Sequence, residues 1–235
     1  MRLKAWQDLP NSMQTDAVRP YYEYLSKKRG AMVIKRIFDI VAAALMLIIL
    51  SPIFLILAVL IKIDSPGPVF YRQVRITTYG REFRIFKFRT MVQNADQIGT
   101  QVTVDHDSRI TRVGAFLRKC RLDEISQLLN VLAGSMTFVG VRPEVPKYVA
   151  HYTEEMMATL LLPAGITSKT SVYYMDEDRL LNAAEDVDQT YIQTVLPAKM
   201  RYNLQGILEF GFFGDIKIML MTVFAMFGKE FKESK

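Results

Sequence analysis

The chain is poor in the residues that staple or metallate a fold: its 235 residues hold one cysteine, Cys120, and two histidines, His106 and His151. A lone cysteine excludes an internal disulfide and a multi-cysteine zinc site, in agreement with a reducing compartment. Two imidazoles exclude a three-histidine metal site, and no HExxH zinc-hydrolase pattern occurs. A GxxxxGK loop is also missing, which excludes the nucleotide chemistry built on that cradle. No internal repeat or low-complexity tract is present. Charge is missing too from residues 40–61, a run of 22 positions.

That uncharged run is about 33 Å long as a straight helix, enough to cross a hydrocarbon core of about 30 Å. Ser51-Pro52 stands at its centre. Pro52 cannot donate to the carbonyl of Ile48, so the sequence predicts a kink or break there, with the Ser51 hydroxyl able to take up the freed carbonyl. Lys35 and Arg36 precede the run, and Lys62, Arg72, Arg75, Arg81 and Arg84 follow it. Because basic flanks prefer the cytosolic side, a re-entrant hairpin turning at Ser51-Pro52 satisfies both ends; a single-span anchor with a proline kink is the plainer alternative. A cleaved signal peptide is not expected, since the run starts far from Met1, is too long and lacks a small-residue cleavage site.

Beside this segment the length allows one cytosolic domain. Half of the residues are hydrophobic, and a net charge of +6 with a pI near 9.3 suits contact with anionic lipid or phosphate-bearing substrates. Four segments are expected. Residues 1–32 form a peripheral polar extension with breaks at Pro10 and Pro20, and residues 33–64 a membrane helix-break-helix. A cytosolic catalytic domain covers residues 65–203, and a C-terminal interfacial, amphipathic helix residues 204–235. Residues 69–74 and 82–88 are rich in β-formers, and Tyr79-Gly80 between them predicts a hairpin turn. Apolar spacing predicts helices over residues 111–132, the second from about Asp123 as N-cap to Ala133, stopped by Gly134. Less distinct helices follow Pro143.

The sharpest chemical constellation is Asp123-Glu124, an acidic pair framed by Arg118, Lys119 and Arg121. Taken alone it reads as a capping pair with surface salt bridges. Lys87-Phe-Arg-Thr-Met91 and Gly140-Val-Arg-Pro-Glu144 add cations in loop-like settings, as a site for several phosphate oxygens requires. Asp105-His-Asp107 has the D-x-D form of nucleotide-sugar metal sites, but no nucleotide-binding α/β unit precedes it, so it reads as a solvated loop. Asp176-Glu-Asp178 reads as a solvated turn.

Lys35-Arg-Ile-Phe-Asp39, Ser51-Pro52, Gly67-Pro-Val-Phe70, Gln73-Val-Arg75, Lys87-Phe-Arg-Thr-Met91, Ser108-Arg-Ile-Thr111, Leu122-Asp-Glu124, Asn130-Val-Leu132, Val139-Gly-Val-Arg-Pro-Glu144 and Gly165-Ile-Thr167 occur in this order. Together, over about residues 33–175, they resemble the bacterial sugar transferase family, the monotopic phosphoglycosyl transferases. The resemblance implies an α+β, mostly helical monotopic membrane protein: a re-entrant N-terminal helix, a small β-hairpin and a helical cytosolic catalytic domain. It further implies transfer of a sugar phosphate from a UDP-sugar to undecaprenyl phosphate with release of UMP, the start of lipid-linked polysaccharide synthesis at the cytoplasmic face of the bacterial inner membrane.

Carried onto this chain, the family's roles make Asp123 the nucleophile that forms a covalent phosphosugar intermediate, and Glu124 the ligand of Mg²⁺. Lys87, Arg89, Arg118 and Arg142 become phosphate contacts, and Ser51 and Pro52 the membrane break. The implied partners are a UDP-sugar, undecaprenyl phosphate and membrane lipids, with a homodimer as an open option and no nucleic acid. Thr77, Ser135 and Val141 replace the family's usual Gly, Asp and Pro, and Ser171 stands where many members carry a Gln near the nucleotide. The competing reading is a non-enzymatic, membrane-anchored adaptor that binds anionic lipid or an assembly partner.

Overall fold

The structure, a computed structural model, describes residues 1–95, 107–174, 177–226 and 231. The polar N-terminal stretch, expected at the periphery, is part of the core. Leu3, Leu9, Met13 and Val18, with Leu25 of helix α1 (Arg19–Ser26), are buried against Ala158, Leu160, Leu161, Ile207 and Phe210. Average polarity misled here. Apolar side chains recur between the polar ones often enough to supply one continuous packing surface.

Helix α2 (Arg29–Asp64) runs for 36 residues and is apolar and long enough to cross a membrane. The break expected at Ser51-Pro52 does not divide it. Ser51 Oγ donates to the Ile48 carbonyl at 2.8 Å, replacing the bond that Pro52 cannot make, so the helix continues through the proline. Both halves pack on the same domain. Before Pro52, Ala43, Leu47 and Leu50 join a core cluster with Leu128 and Val131; after it, Phe54, Leu57 and Ile61 join another with Phe88 and Leu117. The remaining surface of α2 is apolar and uncovered, Ile49 being 72% exposed. Uncovered apolar area of this kind marks contact with lipid or a partner.

Four short strands follow: β1 (Phe70–Tyr71), β2 (Val74–Thr77), β3 (Arg81–Arg84) and β4 (Lys87–Phe88). β2 and β3 form the predicted hairpin, with Val74 opposite Arg84 and Thr77 opposite Arg81, while β1 pairs with β4. Its turn contains Tyr79 at φ 60° and Gly80 at φ 74°, the left-handed conformation that glycine accepts freely.

Helix α3 (Arg112–Lys119) begins at Thr111, whose side chain accepts from the Gly114 amide at 3.0 Å. Asp64, the last residue of α2, accepts from the Val113 amide at 2.9 Å. The helix predicted over 123–133 is shorter. Arg121 adopts a left-handed conformation, φ 52°, and a 3₁₀ segment (Leu122–Gln127) precedes α4 (Leu128–Ala133). Asp123 is therefore not the capping residue. Its side chain turns inward from the first 3₁₀ turn. Gly134, φ 84°, ends α4 as expected, and Arg36 of α2 donates to the carbonyls of Val131 at 2.7 Å and Leu132 at 3.1 Å.

A parallel pair, β5 (Met136–Val139) with β6 (Ala164–Thr167), was not expected from the sequence. At its end the backbones of Gly140 and Gly165 approach so closely that a Cβ on Gly165 would lie 2.2 Å from the Gly140 nitrogen. That contact fixes the loop carrying Arg142. Short helices α5 (Pro146–Val149), α6 (Lys169–Tyr173), α7 (Glu177–Asn182) and α8 (Val187–Thr190) lead into α9 (Leu196–Leu208) and α10 (Phe212–Met226). The single C-terminal helix expected from residue 204 is thus two helices. α10 packs on α2, α6 and the β5–β6 pair, and Asp215 forms an ion pair with Lys35 at 2.6 Å.

Candidate active site

Strand β4 packs against the 3₁₀ segment, and the loop after β5 closes from the other side. These elements bring Asp123, Glu124, Lys87 and Arg142 together. Lys87 Nζ donates to Glu124 Oε1 at 2.9 Å, and Arg142 donates to both oxygens, Nη1 to Oε2 at 3.2 Å and Nη2 to Oε1. Burial alone would raise the Glu124 pKa, yet Arg142 and Lys87 hold it well below the ordinary glutamate value. The Lys87 ammonium is itself pushed down by burial, with Glu124 opposing that shift.

Asp123 differs from its neighbour. It is only 9% exposed, and burial pushes its carboxyl above the ordinary aspartate value; Lys87 and Arg118 counter that shift and Glu124 adds to it. Arg118, on the last turn of α3, therefore acts on Asp123 through its charge. Two adjacent carboxyl groups with opposite pKa shifts suit two different tasks. Glu124 stays an anion, and Asp123, once ionised, has the higher basicity that favours nucleophilic attack.

The fourth cation expected at the site, Arg89, is not there. Its buried guanidinium donates to the carbonyls of Pro66 at 2.5 Å and Ser65 at 2.7 Å, just beyond the end of α2. Arg89 thus ties the membrane helix to the domain. Gly67, φ +123°, makes room for it, since a Cβ there would lie 2.0 Å from Arg89 Nη1. Ser171 lies in the first turn of α6, its amide donating to Ser168 Oγ at 3.1 Å. Of the D-x-D sequence, Asp105 and His106 lie outside the described residues; Asp107 pairs with Arg109 at 2.5 Å. Within 176–178, Glu177 is no solvated turn residue, because it accepts from Lys199 at 3.2 Å.

Behind Arg142 lies a buried group that sequence reasoning missed. Glu144 accepts from Tyr191 Oη at 2.6 Å and from Lys199 Nζ at 3.2 Å, and Lys199 also meets Tyr191 Oη at 2.9 Å. Arg75 lies close enough to help hold the Glu144 pKa down and donates to the Pro143 carbonyl at 3.0 Å. Lys199 had one legible signal, as a charge within the largely apolar run Val195-Leu-Pro-Ala-Lys-Met200. Among the described residues no cluster of three or more His, Cys, Asp or Glu could cage a metal. The anionic Glu124 does fit the part that protein usually plays for Mg²⁺, one or two carboxylates, with substrate phosphates and water completing the shell.

The chain is similar to known proteins over most of its length. The chain is 38% identical over 193 residues to the UDP-N-acetylgalactosamine-undecaprenyl-phosphate N-acetylgalactosaminephosphotransferase of Aeromonas hydrophila, a match covering 81% of this chain and 43% of that protein. It is 35% identical over 199 residues to the UDP-glucose:undecaprenyl-phosphate glucose-1-phosphate transferase of Escherichia coli (strain K12), covering 83% and 40%. The chain thus spans less than half the length of these two relatives. With the exopolysaccharide production protein ExoY of Rhizobium meliloti it shares 30% identity over 225 residues, 89% of this chain and 88% of that one. The profile described as bacterial sugar transferase matches residues 30–229, and the chain belongs to that family.

Proposed function

We propose that the protein transfers a sugar 1-phosphate from a UDP-sugar to undecaprenyl phosphate through a covalent aspartyl-phosphosugar intermediate. The observation that carries this reading is the buried Asp123 beside a Glu124 gripped by Lys87 and Arg142. An Asp123 oxygen attacks the phosphorus that bears the sugar, and the bond from that phosphorus to UMP breaks, UMP leaving with the electron pair. The phosphate of undecaprenyl phosphate then attacks the same phosphorus, which frees Asp123 and yields the lipid-linked diphosphosugar. One phosphoanhydride is broken and one is formed, so no other energy source is needed.

A carboxylate approaching an anionic diphosphate is repelled unless cations neutralise the oxygens around it. Lys87, Arg142 and Arg118 supply that charge from the protein. Arg89 has no part in it. Glu124 is the residue that would hold Mg²⁺, whose chemistry there is to neutralise charge on the diphosphate and the leaving UMP.

The acceptor phosphate is tied to a long lipid and stays at membrane height, so the anchor must hold the site there. We place α2 re-entrant in the cytoplasmic leaflet of the inner membrane. In support, its two ends bond the same domain, Arg36 through the carbonyls of α4 and Asp64 through the amide of Val113. A helix crossing the bilayer carries its ends to opposite surfaces.

Incubation of the enzyme with a radiolabelled UDP-sugar and Mg²⁺, without acceptor, tests the intermediate. The expected result is label on Asp123 with one UMP released per adduct, chased off by undecaprenyl phosphate. UMP release that requires the acceptor, with no adduct, would mean direct transfer. Cysteines placed before α2 and after it should both react with reagents only from the cytoplasmic side. Labelling of one end from the periplasm would show a crossing helix.

A further inference from the structure

A second cationic site lies at the foot of α2, built by the N-terminal stretch that falls before the family match at residue 30. A cavity of about 360 Å³ opens between that stretch, the turn of the β2–β3 hairpin and the start of α2. The buried Leu3, Met32 and Leu161 close its floor, the half-buried Pro10 and Leu162 form its apolar side, and Arg2, Lys4 and Arg81 its polar side. No Asp or Glu among the described residues lines it. The three cationic side chains are exposed, and none of them makes an ion pair among the described residues. Lys4 is held in place: its amide donates to Tyr79 Oη at 2.9 Å, and its ammonium stands 4.8 Å from the centre of that ring.

The volume is that of a small-molecule site, and the lining combines apolar residues with three cationic side chains. Such a lining fits a phosphate group attached to an apolar chain better than a free anion, which would gain nothing from Pro10 and Leu162. The position narrows the class further. Met32 precedes the uncharged run that starts at Ile40 by about 12 Å of helix, close to the level of lipid headgroups if α2 enters the membrane there. Basic residues at that height meet a negatively charged leaflet. The site is separate from the dyad, since it adjoins Gly134 at the far end of the 3₁₀–α4 element from Asp123.

We infer that this cavity binds the phosphate headgroup of an anionic membrane lipid, with Arg2, Lys4 and Arg81 around the phosphate and the start of an acyl chain against the half-buried Pro10 and Leu162. The N-terminal stretch would then be a lipid-binding element independent of the transfer chemistry.

Trp6 is the only tryptophan and lies two residues beyond Lys4, stacked edge-on against Tyr22 at 5.0 Å, so its fluorescence reports on the site. The full chain in phosphatidylcholine nanodiscs is titrated with dihexanoyl phosphatidic acid, dihexanoyl phosphatidylcholine or inorganic phosphate. The expected result is a saturable change with phosphatidic acid alone. In the Arg2→Gln, Lys4→Gln, Arg81→Gln triple variant its half-saturation should rise on the order of 100-fold, and in Arg81→Gln alone about fivefold. The single change removes only an exposed side chain, so it keeps the test valid if the triple variant unfolds. An equal response to inorganic phosphate would make this a free-anion site and overturn the inference. So would an equal response to phosphatidylcholine, the lack of any saturable change, or an Arg81→Gln curve that matches the original.

Discussion

Glu124 and Glu144 lie close to Arg142, each a carboxylate facing cations, but Glu124 is half-buried and Glu144 buried, and their surroundings differ. Around Glu124 the partners are partly open, with side-chain exposures of 21% for Lys87 and 37% for Arg142. Around Glu144 the lysine partner, Lys199, is 6% exposed, and Tyr191 covers the remaining side. Cations of the first kind can exchange a carboxylate for a phosphate oxygen at little cost. Those of the second cannot move without leaving a charge buried and unpaired. Solvent access, more than the identity of the charges, separates a site that binds from one that supports it.

The comparison breaks most visibly at Asp123. Asp123→Asn should lower UMP release by about 10⁴-fold or more, since the nucleophile is lost, while thermal unfolding shifts little. Next in size is the closed cluster: Lys199→Met should lower unfolding free energy by about 3–5 kcal/mol in a denaturant titration, because Glu144 loses its cation in a dry site. A stable Lys199→Met enzyme without activity would reverse the assignment of the two clusters. Arg142→Gln, in the open cluster, should cut UMP release about 10²-fold and cost less than about 1 kcal/mol of stability.

The smallest effect sharpens the comparison by pH. Activity should fall on acidification as Asp123 takes up a proton, at a pH above the ordinary aspartate range, because burial raises its pKa. Lys87 favours the ionised form, so Lys87→Gln should move that acid limb to still higher pH. Glu124, held low, should add no limb near neutrality. A Lys87→Gln profile that shifts towards lower pH would show that Lys87 does not face Asp123.

Much of the open cluster was legible because its members sit in short runs with odd chemistry for a surface: Asp123-Glu124 among arginines, and Arg142 between Gly140 and Pro143. Arg89 was misread because Lys87 and Arg89 look alike in sequence. What parts them is the end of β4 at Phe88 and the gap left by Gly67, both tertiary facts. The β5–β6 pair joins residues 28 positions apart, from Met136 to Ala164, and nothing local announces such a pairing. Ser51 shows the reverse case. Its bond to Ile48 followed from the chemistry of proline alone, and it lets the helical hydrogen bonding carry on across the proline, which the sequence did not predict.

The bonds at the two ends of α2 reach beyond topology. Arg36 closes the last turn of α4 and Asp64 opens the first turn of α3, so the anchor supplies the terminal bonds of both helices that flank the acidic pair. Trimming the anchor away would therefore not liberate a water-soluble catalyst. It would strip bonds from the helices on either side of Asp123, so the acidic pair and the anchor stand or fall as one unit.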